Sequence, residues 1–235
     1  MWERGQGGEG YVRVKICGIT NLEDAQVAAE AGADLLGFIF YPKSPRRVSV
    51  EDAREIVARL RAERPNPPLM VGVFVDVEYA EVAHTLDAVG LDLAQLSGSE
   101  PPLEVGLLAP RAFKAIRPQN RADADGVSAA YNEVLPPTDP ATATRPAFLV
   151  DAYHPWRFGG TGRAADWNAA RSLALRYPTL LAGGLTVDTV AEAIAEVRPW
   201  GVDVASGVES APGKKNHDLV RRFITAAKEN IGANG

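Results

Sequence analysis

Apolar positions along the chain fall into eight short runs, each followed by a stretch of helical periodicity or of helix-start signals. The runs are Val12 to Cys17, Leu35 to Phe40, Leu69 to Val75, Leu91 to Leu96, Ala112 to Arg117, Ala147 to Asp151, Thr179 to Ala182 and Val202 to Ala205. Most are near-continuously apolar, as strands buried on both faces must be. The first alternates: Val12, Val14 and Ile16 share one face, and Arg13, Lys15 and Cys17 the other.

The stretches between them carry helix starts and stops. Asn21 can cap a helix whose first turn holds Glu23 and Asp24, and Gly32 stops it. Ser49 caps a second helix to Arg61, ended by Pro65 to Pro68. Further helices are predicted to about Ala88, from Pro101 and Pro102, near Asp125 to Leu135, and over Asp166 to Tyr177, Val187 to Val197 and about Asn216 to Asn230. Leu135 to Pro146, with four prolines and three threonines, reads as a surface connection within one domain, because the alternation resumes unchanged after it. Eight strand–helix units point to an α/β fold, a single-domain (β/α)8 TIM barrel over residues 12–235, with residues 1–11 a loosely ordered extension. An open doubly wound sheet is the alternative architecture.

Composition narrows the chemistry. A single cysteine excludes an internal disulfide framework and a multi-thiolate zinc site, and the three histidines show no ligand spacing, so no metal is expected. His84 and His217 read as surface histidines. A net charge of -5 argues against a nucleic-acid binder, and no stretch approaches the length of a membrane span, so a cytoplasmic protein is expected. Any anionic ligand must then be held by a local arrangement of donors.

In a barrel all C-terminal strand ends converge on one site. Those ends bring Cys17, a stiff basic loop from Pro42 to Arg47, Gln95, Arg117 and Asp151, followed by glycine turns at Gly159 to Gly162, Gly183–Gly184 and Ser206–Gly207. Adjacent glycine turns let backbone N–H groups reach phosphate oxygens. A lone cysteine is ordinarily a small buried hydrophobe, but at a strand tip beside a cation it can act as a base, with Asp151 as acid. Lys15 and Asp203, one step deeper on neighbouring strands, are placed to form an interior ion pair. Two other readings fit the same strand ends: a lyase or aldolase with Lys15 or Lys114 forming a Schiff base, and a non-catalytic phosphosugar-binding barrel.

Lys15-Ile16-Cys17-Gly18-Ile19-Thr20, Tyr41-Pro42-Lys43-Ser44-Pro45-Arg46, Gln95-Leu96, Val150-Asp151 with Gly159-Gly160-Thr161-Gly162, Ala182-Gly183-Gly184-Leu185 and Val202 to Glu209 together resemble phosphoribosylanthranilate isomerase of tryptophan biosynthesis. The resemblance implies a cofactor-independent Amadori rearrangement of a small phosphorylated substrate, in a monomer or homodimer. It makes Asp151 the general acid and Cys17 the general base, and it pairs Arg46 with the anthranilate carboxylate. Gly183, Gly184, Ser206 and Gly207 would hold the phosphate, and Gln95, Gly160 and Asp203 complete the expected substrate contacts. The chain departs from the family pattern at Ser97, where histidine is common, and at Ala205-Ser206, where paired serines are frequent.

Overall fold

A computed structural model describes residues 11–151 and 162–229. Eight parallel strands close into a barrel in chain order, with β8 returning to β1. They are β1 (Arg13–Cys17), β2 (Leu35–Ile39), β3 (Leu69–Phe74), β4 (Leu93–Leu96), β5 (Ala112–Ile116), β6 (Phe148–Asp151), β7 (Thr179–Ala182) and β8 (Gly201–Val204). The helices are α1 (Leu22–Glu30), α2 (Val50–Glu63), α3 (Tyr79–Val89), α4 (Pro102–Leu107), α5 (Arg121–Ala130), α6 (Gly162–Ala174), α7 (Val190–Val197) and α8 (His217–Glu229). The open doubly wound alternative is excluded by the ladder that pairs Lys15 with Asp203 across β1 and β8.

Strand alternation divides the apolar side chains between two cores. Val14, Ile16, Leu36, Phe38, Val202 and Val204 face the helices, whereas Leu35, Val71, Leu93, Phe113, Leu149 and Leu180 fill the barrel. The first strand therefore turns Lys15 and Cys17 inward, as its alternation predicts. The caps at Asn21 and Ser49 form too: each side chain accepts a backbone N–H three residues on, from Asp24 at 2.8 Å and Asp52 at 3.0 Å.

Two expectations are corrected. α5 starts four residues before the predicted Asp125, because Asn120 accepts from Asp123 N at 3.0 Å and Asp123 in turn accepts from Gln119 N at 2.9 Å. These two contacts at the helix start outweigh the weak apolar periodicity that placed the helix later. The 135–146 connection is not only surface. Its Ala143 is buried in the inner core, and its carbonyl accepts from Trp200 Nε1 at 3.0 Å and Arg13 Nη2 at 3.3 Å, so it forms the floor of the barrel. A short antiparallel hairpin, β9 (Glu209–Ala211) and β10 (Lys214–Lys215), also stands between β8 and α8.

Lys114 lies in phase with the helix-facing Ala112 and Ile116, outside the barrel interior. Its ammonium is 2.8 Å from the buried Glu100 carboxylate and also donates to the carbonyls of Gly98 at 2.7 Å and Leu96 at 3.2 Å. Glu100 accepts the N–H groups of Asp76 and Gly98, so the pair pins the turns after β3 and β4. Removing one partner strands the other charge. Lys114→Met is expected to lower unfolding free energy by about 3–5 kcal/mol in urea titrations, and Glu100→Gln in the same chain to recover part of the loss.

Candidate active site

The strand ends define one mouth, and the sequence-selected residues within the described region lie around it. Cys17 ends β1 and is 5% exposed. Its thiol sits over β2, where Gly37 is its ladder partner, and a Cβ at Gly37 would come within 2.8 Å of Sγ. Glycine at 37 is thus the condition for the thiol to lie where it does.

Below the thiol, Lys15 is fully buried, with its ammonium 2.7 Å from Asp203 Oδ1 and 2.9 Å from Gln95 Oε1. The interior ion pair expected from the sequence is present. Burial works against the Lys15 charge, but the Asp203 carboxylate and Cys17 together more than offset it, so the ammonium is held above the ordinary lysine range. Gln95 spans onward, donating from Nε2 to Ser97 Oγ at 3.1 Å. A polar chain therefore runs inside the barrel from β8 through β1 to the end of β4. An amine so engaged, like the outward-facing Lys114, is poorly disposed to attack a carbonyl, which disfavours the Schiff-base reading.

Burial pushes the Cys17 thiol up, and the nearby Lys15 ammonium only partly counters this. The sequence leaves the direction open, with Lys15 as a group that could lower it; in the structure desolvation prevails.

Asp151 ends β6 on the same inward face as Leu149, with its side chain part-exposed at the mouth and 3.1 Å from Arg117 Nε. Along the ladder, β6 is separated from β1 by β7 and β8, so acid and base candidates approach the mouth from different sides. Gly160 lies outside the described residues.

Gly183 and Gly184 follow β7 with φ of 105° and 67°, a left-handed turn that other residues rarely adopt. Ser206 and Gly207 open a single 3-10 turn after β8. A Cβ at Gly207 would lie 1.9 Å from the carbonyl oxygen of Leu185, so the backbones of the two turns are in direct contact. The adjacency that a phosphate cradle requires is built in.

Arg46 reaches the mouth from the β2–α2 loop, and its partner is Glu209: Nε is 2.9 Å from Oε1 and Nη2 2.7 Å from Oε2. Lys215, also buried, donates to Glu209 Oε1 at 3.0 Å and to the Cys17 carbonyl at 2.6 Å. Sequence reasoning passed over Glu209 and Lys215 as functional residues. The available signal was the Pro212-Gly213 turn between them, which marks a hairpin after β8. His84 is exposed, as expected, but His217 is not a plain surface histidine: its Nε2 lies 2.8 Å from Asp24 Oδ1.

A family model described as N-(5'phosphoribosyl)anthranilate (PRA) isomerase matches residues 14–226. The chain belongs to this family. Among curated family members, the N-(5'-phosphoribosyl)anthranilate isomerase of Pelobacter propionicus is 44% identical over 221 residues, covering 93% of this chain and 96% of its own length. That of Geobacter sulfurreducens is 46% identical over 219 residues, covering 92% and 98%. The crystal structure of phosphoribosyl anthranilate isomerase from Thermotoga maritima superposes with a TM-score of 0.78 at 40% identity, covering 93% of this chain and all of that one. A further isomerase structure, in complex with reduced 1-(o-carboxyphenylamino)-1-deoxyribulose 5-phosphate, matches with a TM-score of 0.75 at 39% identity, over 93% of this chain and 100% of that one. This isomerase fold places no described helix long and apolar enough to cross a membrane.

Because the chain has one cysteine, alkylation reads Cys17 alone. With the thiol pushed up by burial, the iodoacetamide rate is expected to climb ~tenfold per pH unit and still to be rising at about pH 9. A plateau near neutral pH would contradict a thiol raised by burial.

Proposed function

We propose that the chain catalyses the Amadori rearrangement of N-(5-phosphoribosyl)anthranilate to 1-(2-carboxyphenylamino)-1-deoxyribulose 5-phosphate, the isomerisation step of tryptophan biosynthesis, without a cofactor. The observation that carries this reading is the pair of inward-facing groups Cys17 and Asp151 on different sides of one mouth, with glycine turns between β7, β8 and the helices that follow them.

The carboxylic acid form of Asp151 gives its proton to the ribose ring oxygen as the C1–O bond breaks, and the anthranilate nitrogen's lone pair forms the iminium. The Cys17 thiolate then removes the C2 proton. The C–H electrons form a C1–C2 double bond, the nitrogen regains its pair, and the resulting enolamine tautomerises to the ketone. A thiol whose pKa is raised yields a scarce but strong base, and the Lys15 charge beneath it supports the thiolate as it forms. Arg46 takes the anthranilate carboxylate, for which a planar guanidinium is well shaped. Gly183, Gly184, Ser206 and Gly207 receive the phosphate. Gln95 and Asp203, with both groups engaged by Lys15, contribute chiefly by holding that ammonium in place.

A phosphoribosylanthranilate isomerase from Thermotoga maritima is described as dimeric. For this chain the proposal is a cytoplasmic monomer or homodimer acting on a small phosphorylated metabolite, with no nucleic-acid partner.

The test follows the fluorescence decay of freshly generated phosphoribosylanthranilate. Cys17→Ala and Asp151→Asn are each expected to cut turnover by about 10²-fold or more while the reduced product analogue binds nearly as before. Full activity in both variants would sink the acid–base assignment, and a protein that binds the analogue but never turns substrate over would favour the phosphosugar-binding reading.

A further inference from the structure

Arg46 is not free to choose its orientation. Its guanidinium carries five N–H donors on two usable edges, a side edge formed by Nε and Nη2 and an end edge formed by Nη1 and Nη2. Glu209 occupies the side edge, at 2.9 Å from Nε and 2.7 Å from Nη2. The end edge makes no hydrogen bond to the described residues, and the side chain is 22% exposed.

Glu209 is itself fixed. Its side chain is 5% exposed, and Oε1 also accepts from Lys215 Nζ at 3.0 Å and from Gly213 N at 3.2 Å. Lys215 is tied in turn to the Cys17 carbonyl at 2.6 Å and the Ala205 carbonyl at 3.3 Å. Behind Arg46, a Cβ at Gly18 would lie 2.8 Å from Cδ, so the arginine stem rests directly on the turn after β1. The three charges sum to one positive charge facing the mouth.

We infer that Glu209 is a positioning residue for substrate recognition: it clamps the side edge of Arg46 so that the end edge alone is presented to the carboxylate of the aromatic amine. Lys215 anchors that clamp to the strand that carries Cys17. The inference rests on the assignment of Arg46 to the anthranilate carboxylate and adds to it the group that sets the arginine's direction. A guanidinium released from Glu209 would have to be ordered by the substrate itself, at a cost in affinity.

The test measures steady-state kinetics with phosphoribosylanthranilate. It also measures binding of two probes, reduced 1-(2-carboxyphenylamino)-1-deoxyribulose 5-phosphate and the same compound without the carboxyl group. Glu209→Gln is expected to raise KM and weaken the carboxylated probe about 10- to 100-fold, the range of a charged hydrogen-bonded contact, with kcat changed much less. Binding of the carboxyl-free probe should stay within a factor of a few. Glu209→Asp keeps the charge facing Lys215 but shortens the reach, so the same selective loss is expected there even if Glu209→Gln folds poorly. In an Arg46→Met background, Glu209→Gln should add nothing further. If Arg46→Met abolishes discrimination between the probes but neither Glu209 variant alters it, the positioning role is wrong and the assignment of Arg46 stands. If Arg46→Met itself leaves discrimination intact, the assignment of Arg46 fails and this inference with it. Equal weakening of both probes by Glu209→Asp marks a structural role only and also overturns the inference.

Discussion

An ammonium without access to water sits in the wall of the barrel, and its demand for partners organises the site above it. Moving a charge of that size out of water costs several kcal/mol, and it is tolerated only with well-placed acceptors. Lys15 finds them on two other strands, Asp203 on β8 and Gln95 on β4. The β1–β8 ladder sets Lys15 opposite Asp203, so the closure of the barrel and the compensation of the charge are one condition. Apolar residues of similar volume would often be at least as stable in such a place. What the pair supplies instead is an ammonium held in a fixed place one step below Cys17, on the same inward face.

That arrangement is legible in the sequence because a strand of period two leaves a direct record. A thiol and a lysine that alternate with valines and an isoleucine must share a face, and their position before a glycine puts them at a tip. The same logic located Asp151, Gln95, Asp203 and the glycine turns. It fails where partners are set by geometry between distant segments. Glu209 and Arg46 are far apart in sequence and carry no shared period, yet three N–H···O contacts join them. Ala143 becomes the barrel floor through a carbonyl, which no side-chain pattern records. The start of α5 is misplaced by the sequence because a cap outweighs an apolar stripe, and the direction of the Cys17 shift stays open there because burial cannot be read from neighbours in the chain.

Charge follows the same division between local and global. The chain as a whole is acidic, with a net charge of -5, yet Arg46, Glu209 and Lys215 leave one positive charge at the mouth. An anionic ligand is therefore met by local donors, with no contribution from overall charge. Glu209 stays ionised in this setting. Burial pushes its carboxyl up, and the hydrogen bonds from Arg46 and the charge of Lys215 more than reverse that, leaving it below the usual carboxylate range. The Arg46–Glu209 ion pair accordingly persists to low pH.

The barrel separates stability from chemistry along its axis. Toward the N-terminal ends, Trp200 and Ala143 close the interior and Leu35, Leu93 and Leu180 fill it, with Arg13 lying 4.3 Å over the Trp200 ring. Toward the other end the packing thins to glycine wherever a reactive group or a second backbone must come close, as at Gly37 under the Cys17 thiol and Gly207 against Leu185. Lys15 marks the boundary between the two regions, since it is packed like a core residue and charged like a site residue. A methyl group at position 37 would add apolar contact and also displace the thiol. The constraint at that position therefore comes from the Cys17 thiol and backbone and the Lys15 ammonium packed against it, while the constraint at Trp200 comes from the closed floor below.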